Sequence, residues 1–245
     1  MEKVKKIALV TGANKGLGLE MARQLGRAGV TVVLAARDPR KGEAAAEKLR
    51  SEGLDAQSLK LDVTSPEDRA HAAAYFEAKF GRLDILINNA GVSLEGLGGG
   101  KASSSSADAL HRTFETNFFA PVALTQALLP LLRKSAGGRI VNMSSILGSQ
   151  SLHADPKSPI YNFKSLAYDA SKTALNSFTI HLAHELKDTS IKVNSAHPGW
   201  VKTDMGTDAA PMELPEGAKT GVELALLSED GPAGGFFHLG KALPW

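Results

Sequence analysis

Cysteine is missing from this sequence, and so are long apolar runs and an excess of one charge. None of the 245 residues is cysteine, which excludes disulfides, thiolate metal sites and a cysteine nucleophile. No stretch approaches the ~20 apolar residues that a membrane-spanning helix needs. The 28 basic residues nearly balance the 26 acidic ones. We therefore expect neither a nucleic acid nor an acidic membrane surface as a partner.

The start of the chain is charged and lacks the apolar core of a signal peptide. Met1-Glu-Lys-Val-Lys-Lys6 is followed by the short apolar stretch Ile7-Ala-Leu-Val10, which is well below the length that a secretory signal needs. We therefore expect a cytoplasmic protein. Hydrophobic residues make up 43% and charged residues 22% of the sequence, close to the average of globular proteins, so a folded core is expected.

Short β-rich apolar stretches alternate with longer helical patterns along the chain. Several of these stretches are apolar on both faces, as in parallel strands that helices cover on both sides. The alternation predicts an α/β fold with a doubly wound sheet. No repeat or compositional break divides residues 1–245, which favours a single domain. The predicted strands are Lys6–Val10, Val30–Ala35, Leu59–Leu61, Leu83–Ile87, Arg139–Met143 and Ile191–Asn194.

A glycine-rich turn follows the first predicted strand. Thr11-Gly-Ala-Asn-Lys-Gly-Leu-Gly18 lies between that strand and a predicted helix over Leu19–Arg27. Glycines here permit a tight turn and a close approach of the backbone to a pyrophosphate, while the helix N-terminus supplies N–H donors and partial positive charge. The turn therefore predicts a dinucleotide-binding site.

The end of the second predicted strand bears on the choice of nicotinamide cofactor. Asp38 stands about 20 positions after the glycines, where a carboxylate accepts from the ribose hydroxyls of NAD. Asp38-Pro39 is also a helix-capping pattern, which would turn the carboxylate toward backbone N–H groups. Arg37 and Lys15 could instead bind a 2′-phosphate by charge-assisted hydrogen bonds. We favour NADP(H) and keep NAD as the alternative.

Tyr168 and Lys172 form the pair best suited to chemistry. Their i, i+4 spacing on a predicted helix puts a phenol and an ammonium on one face, one turn apart. A free phenol has a pKa of about 10, and a neighbouring ammonium should lower that pKa, as general acid–base catalysis requires. Tyr75 and Lys79 have the same spacing, but their surroundings are typical of a surface helix, so we interpret them as solvated.

Two histidines share one face of the same predicted helix. His181 and His184 could contact a metal ion, but no third ligand is evident and Glu185 is misplaced for a zinc-protease pattern. We predict no metal site.

Six short motifs in one order resemble those of the short-chain dehydrogenase/reductase superfamily over essentially the whole chain. Thr11–Leu19, Ala35–Asp38 and Pro198–Met205 are similar to the NADPH-dependent carbonyl reductase branch. The resemblance implies one Rossmann-type domain with a mainly seven-stranded parallel sheet. It also implies a small-molecule carbonyl substrate, with 146–165 and 200–217 as pocket loops. The motifs are Thr11-Gly-x-x-x-Gly-x-Gly18, Asn88-Asn-Ala-Gly91, Asn117, Ser145, Tyr168-x-x-x-Lys172 and Pro198-Gly199.

The resemblance also implies a role for each matching residue. Asn117 would hold a water in a proton relay, Ser145 would bind the substrate oxygen, and Tyr168 would transfer the proton. Lys172 would hold the nicotinamide ribose and lower the pKa of the tyrosine. Besides Tyr168 and Lys172, the implied cofactor contacts are Gly12, Asn14, Lys15, Gly16, Leu17, Gly18, Arg37, Asp62, Val63, Asn89, Ala90, Gly91, Pro198, Gly199, Val201 and Thr203.

Two neighbouring serines compete for the substrate-binding role. We choose Ser145 over Ser144 because Gly148 completes the family pattern Ser-x-x-Gly. Ser145 and Tyr168 stand 23 positions apart, more than is usual in the family, so the segment between them is expected to shape the substrate pocket. The extra length of this segment is an insertion relative to the family, and in the carbonyl reductase branch such an insertion can cover the helix face that other members use to dimerise. The insertion here is of intermediate length, so both a monomer and a homo-oligomer stay open. Apolar pocket candidates, each equally suited to core or lid packing, are Leu147, Leu152, Tyr161, Phe163, Trp200 and Met205.

These observations together predict an NADPH-dependent oxidoreductase that reduces a ketone, aldehyde or quinone to the alcohol. The cofactor would supply hydride, while serine and tyrosine hydroxyls would stabilise the negative charge that develops on the oxygen. The alternative is a sensor or scaffold that holds NADP(H) without turnover. Such a protein needs only the cofactor groove, whereas this sequence also has Asn117, Ser145 and the Tyr168–Lys172 pair. Sugar-nucleotide epimerases share the tyrosine and lysine but usually have a longer C-terminal substrate domain.

Overall fold

The computed structural model describes residues 5–96 and 100–245, so residues 1–4 of the charged start lie outside the described part. Its strands are β1 Ile7–Thr11, β2 Thr31–Ala36, β3 Ala56–Lys60, β4 Ile85–Asn88, β5 Arg139–Met143, β6 Lys192–Ala196, β7 Phe236–His238 and β8 Lys241–Ala242. Within the described residues they form one eight-stranded sheet in the order β3-β2-β1-β4-β5-β6-β7-β8. All neighbours are parallel except β7 and β8. The predicted α/β doubly wound sheet is confirmed.

Strands β7 and β8 escape prediction from the sequence because they are only three and two residues long and lie in a glycine-rich stretch. They form a hairpin whose turn residues, Leu239 and Gly240, have φ angles of 45° and 75°. Two positive φ angles are what a tight two-residue hairpin requires. The hydrogen bond of 2.8 Å from Leu239 N to Thr220 Oγ1 holds this unfavourable leucine conformation in place.

Helices cover both faces of the sheet. They are α1 Gly16–Arg27, α2 Pro39–Ser51, α3 Pro66–Phe80, α4 Ala107–Phe114, α5 Ala120–Leu132, α6 Gln150–Ala154, α7 Leu166–Glu185 and α8 Leu214–Ala225. Two apolar cores result, one between the sheet and α1, α2 and α8, the other between the sheet and α3, α5 and α7. Alternate residues of a strand enter different cores, as Val10 and Leu9 of β1 do, which explains why the strands are apolar on both faces. In the described part of the chain, no helix combines the length and apolar character needed to cross a membrane.

The starts of three helices follow from local sequence. Asp38 caps α2 by accepting from Arg40 N at 2.9 Å, and Ser65 caps α3 by accepting from Asp68 N at 3.1 Å. The capping role predicted for Asp38 is confirmed. Helix α1 begins at Gly16, three residues earlier than expected, because the bond from Leu19 N to Lys15 O already closes a helical turn.

The carboxyl ends of β1, β4, β5 and β6 meet at one edge of the sheet, since these strands are parallel neighbours. Chain order reverses between β1 and β4, because β2 and β3 lie on one side of β1 and the later strands on the other. Open α/β sheets bind ligands in the crevice at such a reversal. The residues that follow these four strands are therefore placed to build a site.

Candidate active site

The glycine turn after β1 is bonded directly to the end of β4. The side chain of Thr11 accepts from Asn89 N at 2.9 Å, and Asn89 Nδ2 donates to Thr11 O at 2.8 Å. A Cβ on Gly18 would lie 2.6 Å from both Asn89 Nδ2 and Gly12 O. Gly12 and Gly16 have φ angles of 62° and 57°, which disfavour any residue with a side chain. The sequence therefore needs glycine at these three positions.

A groove of about 580 Å³ runs along the carboxyl edge of the sheet. Sixteen of the predicted cofactor residues line it, including Tyr168 and Lys172 at one end and Lys15 and Arg37 at the other. The other twelve are Gly12, Asn14, Gly16, Leu17, Gly18, Asp62, Val63, Asn89, Ala90, Gly91, Pro198 and Thr203. Lining residues that the motifs do not identify as cofactor contacts are Leu61, Thr64, Val92, Thr116, Met143, Ser144, Lys202, Asp204, Met205 and Leu214.

Two predicted cofactor residues, Gly199 and Val201, are not among the described residues that line the groove. Val201 is 3% exposed, and its side chain packs against Gly217, where an added Cβ would lie 2.4 Å from Val201 Cγ2. Gly199 has a φ of 91° and lies against the side chains of Met212 and His238. Contact of these two residues with the cofactor therefore stays a prediction.

The Lys15 and Arg37 end of the groove is rich in positive charge. Asp38 contributes one negative charge beside these cations, and its Oδ1 accepts from the N–H groups of Arg40 and Lys41. Lys41 and Lys48 lie with Lys15 and Arg37 around an adjoining depression. This arrangement favours a phosphate group over the ribose hydroxyls of an unphosphorylated nucleotide.

The hydroxyl groups of Ser145 and Tyr168 lie next to each other, and the serine hydroxyl lowers the pKa of the phenol. Ser145 follows β5 and begins a short 3₁₀ turn, in which its Oγ accepts from Leu147 N at 3.2 Å. Tyr168 lies in the first turn of α7 and is 8% exposed. The structure thus brings together two hydroxyls that stand 23 positions apart in the chain. Ser144 lines the groove and Ser145 lies next to the phenol, so the choice between the two serines stays a prediction.

The pKa of Tyr168 is shifted in the opposite direction to the one that the tyrosine–lysine spacing predicts. Burial raises the pKa of Tyr168 to about 12; the hydroxyl of Ser145 opposes this rise and the charge of Asp169 adds to it. The spacing places Lys172 Nζ 5.6 Å from the centre of the Tyr168 ring. In this arrangement the loss of solvent around the phenol dominates its pKa.

Lys172 is buried and bonded to the strand beneath it. Its ammonium donates to Met143 O at 2.8 Å, and burial lowers its pKa to about 8. Gly91 leaves room for this side chain, since a Cβ there would lie 3.5 Å from Lys172 Nζ and 3.3 Å from Asn117 Oδ1. The ammonium therefore lies between the end of β5 and the loop that follows β4.

Asn117 lies in a π-helical turn, Glu115–Phe119, between α4 and α5, and is fully buried. Its side chain accepts from Val92 N at 2.8 Å and donates to Val92 O at 2.9 Å and Ser171 Oγ at 3.0 Å. Those bonds tie the loop after β4 to α7. Such π-helical turns are frequent at functional sites, but the side chain of Asn117 is used for positioning, and the predicted water contact stays a prediction.

His197 is a site residue that the motifs do not identify. Its Nδ1 accepts from Ile146 N at 3.2 Å and from Gly199 N at 3.4 Å. Burial and the neighbouring His238 lower the pKa of His197 to about 3, so the ring is neutral and can accept. It therefore connects the turn of Ser145 to the Pro198 turn. Its position directly before Pro198-Gly199 is the only signal that the sequence offers for it.

The residues set aside in the sequence analysis lie elsewhere. Tyr75 belongs to α3, and its hydroxyl donates to Gln57 Oε1 at 2.7 Å. His181 and His184 are exposed on α7. Across residues 5–96 and 100–245, no group of three or more His, Asp or Glu side chains is placed to hold a metal ion.

The sequence model of the short chain dehydrogenase family matches residues 6–214. The chain belongs to this family. Among curated short-chain dehydrogenase relatives, (-)-isopiperitenone reductase of Mentha piperita is 34% identical and aligns over 99% of each chain. Carbonyl reductase [NADPH] 1 of Mus musculus is 32% identical over 100% of each. The solved NADPH-bound carbonyl reductase from chicken fatty liver has a TM-score of 0.86 and 30% identity, covering 98% of this chain and 99% of that one.

Proposed function

We propose that this short-chain dehydrogenase uses NADPH to reduce a ketone, aldehyde or quinone carbonyl to the alcohol, with Tyr168 as the proton donor. The observation that carries the proposal is the pairing of the Ser145 and Tyr168 hydroxyls beside the groove that Tyr168 and Lys172 line. Relatives named as reductases of carbonyl compounds, one of them solved with NADPH bound, support the same chemistry.

The groove suits NADP(H) on three counts. Gly16 leaves open space, since the nearest atom to an added Cβ is Thr203 Cγ2 at 3.9 Å, so a diphosphate can approach the backbone there. The basic groups of Lys15 and Arg37 suit a 2′-phosphate. At the other end, the buried Oγ of Ser144 has no hydrogen-bond partner among the described residues and lines the groove. A polar ligand there would supply that partner.

The predicted cofactor residues would hold NADP(H) along the groove, with Asp62 and Val63 beside the adenine and Lys172 at the nicotinamide ribose. When bound, NADPH supplies the hydride for the carbonyl carbon. The hydroxyls of Ser145 and Tyr168 would bind the substrate oxygen and stabilise the negative charge that grows on it.

Proton transfer fits the environment of Tyr168. Because burial raises the pKa of Tyr168 to about 12, the phenol keeps its proton at neutral pH and can donate it to the substrate oxygen. Lys172, whose pKa burial lowers to about 8, would still carry most of its charge at pH 7 and would stabilise the phenolate left behind. Asn117 and His197 would keep the surrounding turns in place.

Turnover against a panel of aromatic, terpenoid and quinone carbonyls tests the proposal. NADPH oxidation is followed by absorbance, and NADPH binding is measured separately by calorimetry. Turnover of at least one carbonyl, dependent on Tyr168, is expected. Tight NADPH binding with no turnover of any panel member would favour the sensor or scaffold instead.

A further inference from the structure

The carboxyl group of Asp169 is buried beside Tyr168, and the proposed reaction does not use it. Asp169 is 9% exposed, and its Oδ2 accepts from Ser165 N at 2.9 Å. The other oxygen, Oδ1, has no hydrogen-bond partner in the part of the chain that the structure describes. A buried carboxylate with an unbonded oxygen destabilises the folded state. Its presence is therefore better explained by a role in function than by a role in stability.

Ionisable groups from three elements face this carboxyl. His153 of α6 lies with Nε2 3.4 Å from Asp169 Oδ2. Lys164 comes from the segment before α7, and Glu95 from the loop after β4. Burial raises the pKa of Asp169 to about 6, the bond from Ser165 and the neighbouring His153 and Lys164 oppose the rise, and Glu95 adds to it.

The hydrogen bonds of His153 join the two ends of the 146–165 segment. Its Nε2 lies 2.9 Å from Leu147 O, which requires a proton on that nitrogen. Its Nδ1 then accepts from Lys164 Nζ at 3.0 Å, and Lys164 Nζ also donates to His153 O at 3.0 Å. Leu147 lies near the start of the segment and Lys164 near its end. The His153 imidazole therefore joins the two ends, and its Nε2–H lies near Asp169.

We propose that Asp169 is a positioning residue for the substrate pocket: its carboxylate, through Ser165 and His153, holds the 146–165 segment against α7 at Tyr168. The inference rests on the proposed function and on the expectation, implied by the family resemblance, that this segment bounds the substrate pocket. The segment carries Tyr161 and Phe163, whose exposed aromatic side chains would move with it. Loss of the charge on Asp169 weakens the attraction to Lys164, so the segment loosens as the pH falls through about 6.

Kinetics of Asp169→Asn test the positioning role. The control is Asp188→Asn, which removes the same charge from an exposed site after the other end of α7. In the unmodified chain and in the control, KM for a bulky aromatic ketone should rise about ten-fold as the pH falls through about 6, while KM for NADPH changes less than about two-fold. In Asp169→Asn, KM for the ketone should be high at every pH. A ketone KM whose pH dependence survives in Asp169→Asn would overturn the proposal.

The alkaline side of the same pH profile supplies a second readout, which reports the charge of Asp169 at Tyr168. The charge of Asp169 raises the pKa of Tyr168. In Asp169→Asn the alkaline limb that belongs to Tyr168 should therefore shift to lower pH, whereas Asp188→Asn should leave it in place. An unshifted limb in Asp169→Asn would contradict this electrostatic coupling.

Hydrogen exchange separates failure of this inference from failure of the proposed function, because it needs no turnover. At one fixed neutral pH, Asp169→Asn should speed exchange of amides in 149–165 and leave the C-terminal half of α7 unchanged. Lys164→Met, which removes the cation bonded to His153, should do the same. Unchanged exchange in both variants would overturn the positioning role even if carbonyl reduction is confirmed, and faster exchange would uphold it even if no carbonyl is reduced.

Discussion

The ammonium of Lys15 and the carboxylate of Asp204 form an ion pair that joins the glycine turn to the 200–217 segment. Both side chains line the groove and both are largely exposed. The ion pair therefore connects two walls of the proposed cofactor site. A phosphate bound near Lys15 would compete with Asp204 for its charge.

Replacing Asp204 should strengthen NADPH binding. Asp204→Asn frees Lys15 for the phosphates, so we expect Kd to fall about two-fold at low salt, and the gain to vanish at high salt because exposed charges are screened. Fluorescence titration with NADPH measures it. Asp208→Asn, on an exposed residue of the same segment, should leave Kd unchanged. Weaker binding by Asp204→Asn would show that the ion pair helps to hold the cofactor.

Removing Arg37 should change the preference between cofactors. Charge-assisted hydrogen bonds contribute about 1.5–3 kcal/mol each, so Arg37→Ala should raise KM for NADPH at least about ten-fold and leave KM for NADH nearly unchanged. The matched control is Arg40→Ala, three residues on and not among the described residues that line the groove. An equal effect of Arg37→Ala on both cofactors would refute the assignment of the 2′-phosphate to this arginine.

A methyl group at Gly18 should disrupt the cofactor groove. Its Cβ would lie 2.6 Å from Asn89 Nδ2 and from Gly12 O, and the latter is backbone that cannot swing away. Gly18→Ala should lower NADPH affinity at least about ten-fold and destabilise the fold by roughly 2 kcal/mol. Gly26→Ala on the same helix meets only the Leu54 side chain, at 3.2 Å, which has to shift by a few tenths of an ångström, so this variant should cost less stability than Gly18→Ala and leave NADPH affinity unchanged. Equal effects of the two variants would argue against the close approach at Gly18.

Tyr168→Phe should separate binding from chemistry. The phenyl ring keeps the packing of α7 and loses only the hydroxyl that lies next to Ser145. We expect turnover to fall by at least about a thousand-fold, with NADPH binding within about two-fold of the unmodified chain. Tyr75→Phe, which alters the other tyrosine with a lysine four residues on, should leave turnover unchanged. Near-normal activity of Tyr168→Phe would exclude this phenol as the proton donor.

The buried charge of Lys172 should destabilise the folded state, although the proposed reaction uses that charge. Burial lowers the pKa of Lys172 to about 8, below the ~10.4 of an unfolded lysine. The charge on Lys172 therefore destabilises the folded state most below about pH 8, and this destabilisation fades as the pH rises from about 8 to about 10.4. Lys172→Met should raise Tm at pH 7 by roughly 2–4 °C, lose that advantage near pH 10, and abolish turnover. Calorimetry against Lys187→Met, an exposed control, measures the shift; a lower Tm at pH 7 would contradict it.

Six strands of the sheet and the cap at Asp38 could be predicted because their causes are local. Val10 and Leu9 sit in a strand that is apolar on both faces, and Asp38 and Ser65 are capping residues followed by proline. Each pattern is complete within a few neighbouring residues. The hairpin at Leu239 could not be predicted, because its turn depends on a bond to Thr220 of another element.

The residues of the candidate site could be identified from their motifs, but their physical state could not. The spacing of Tyr168 and Lys172 suggests a lowered phenol pKa, whereas burial, a property of the packed chain, raises it. His197 has no motif of its own, and its role follows from two backbone N–H groups that the fold brings to one ring nitrogen.

What the amino-acid sequence determined by itself is which residues could take part, namely a glycine turn, a serine and a tyrosine–lysine pair in a fixed order. Tertiary structure alone decided that Ser145 meets Tyr168, that Val201 turns its side chain away from the groove, and that the carboxyl of Asp169 is buried beside the phenol. The physical reason is that order and spacing are covalent, whereas distance, burial and charge between remote residues exist only once the sheet brings its strand ends together.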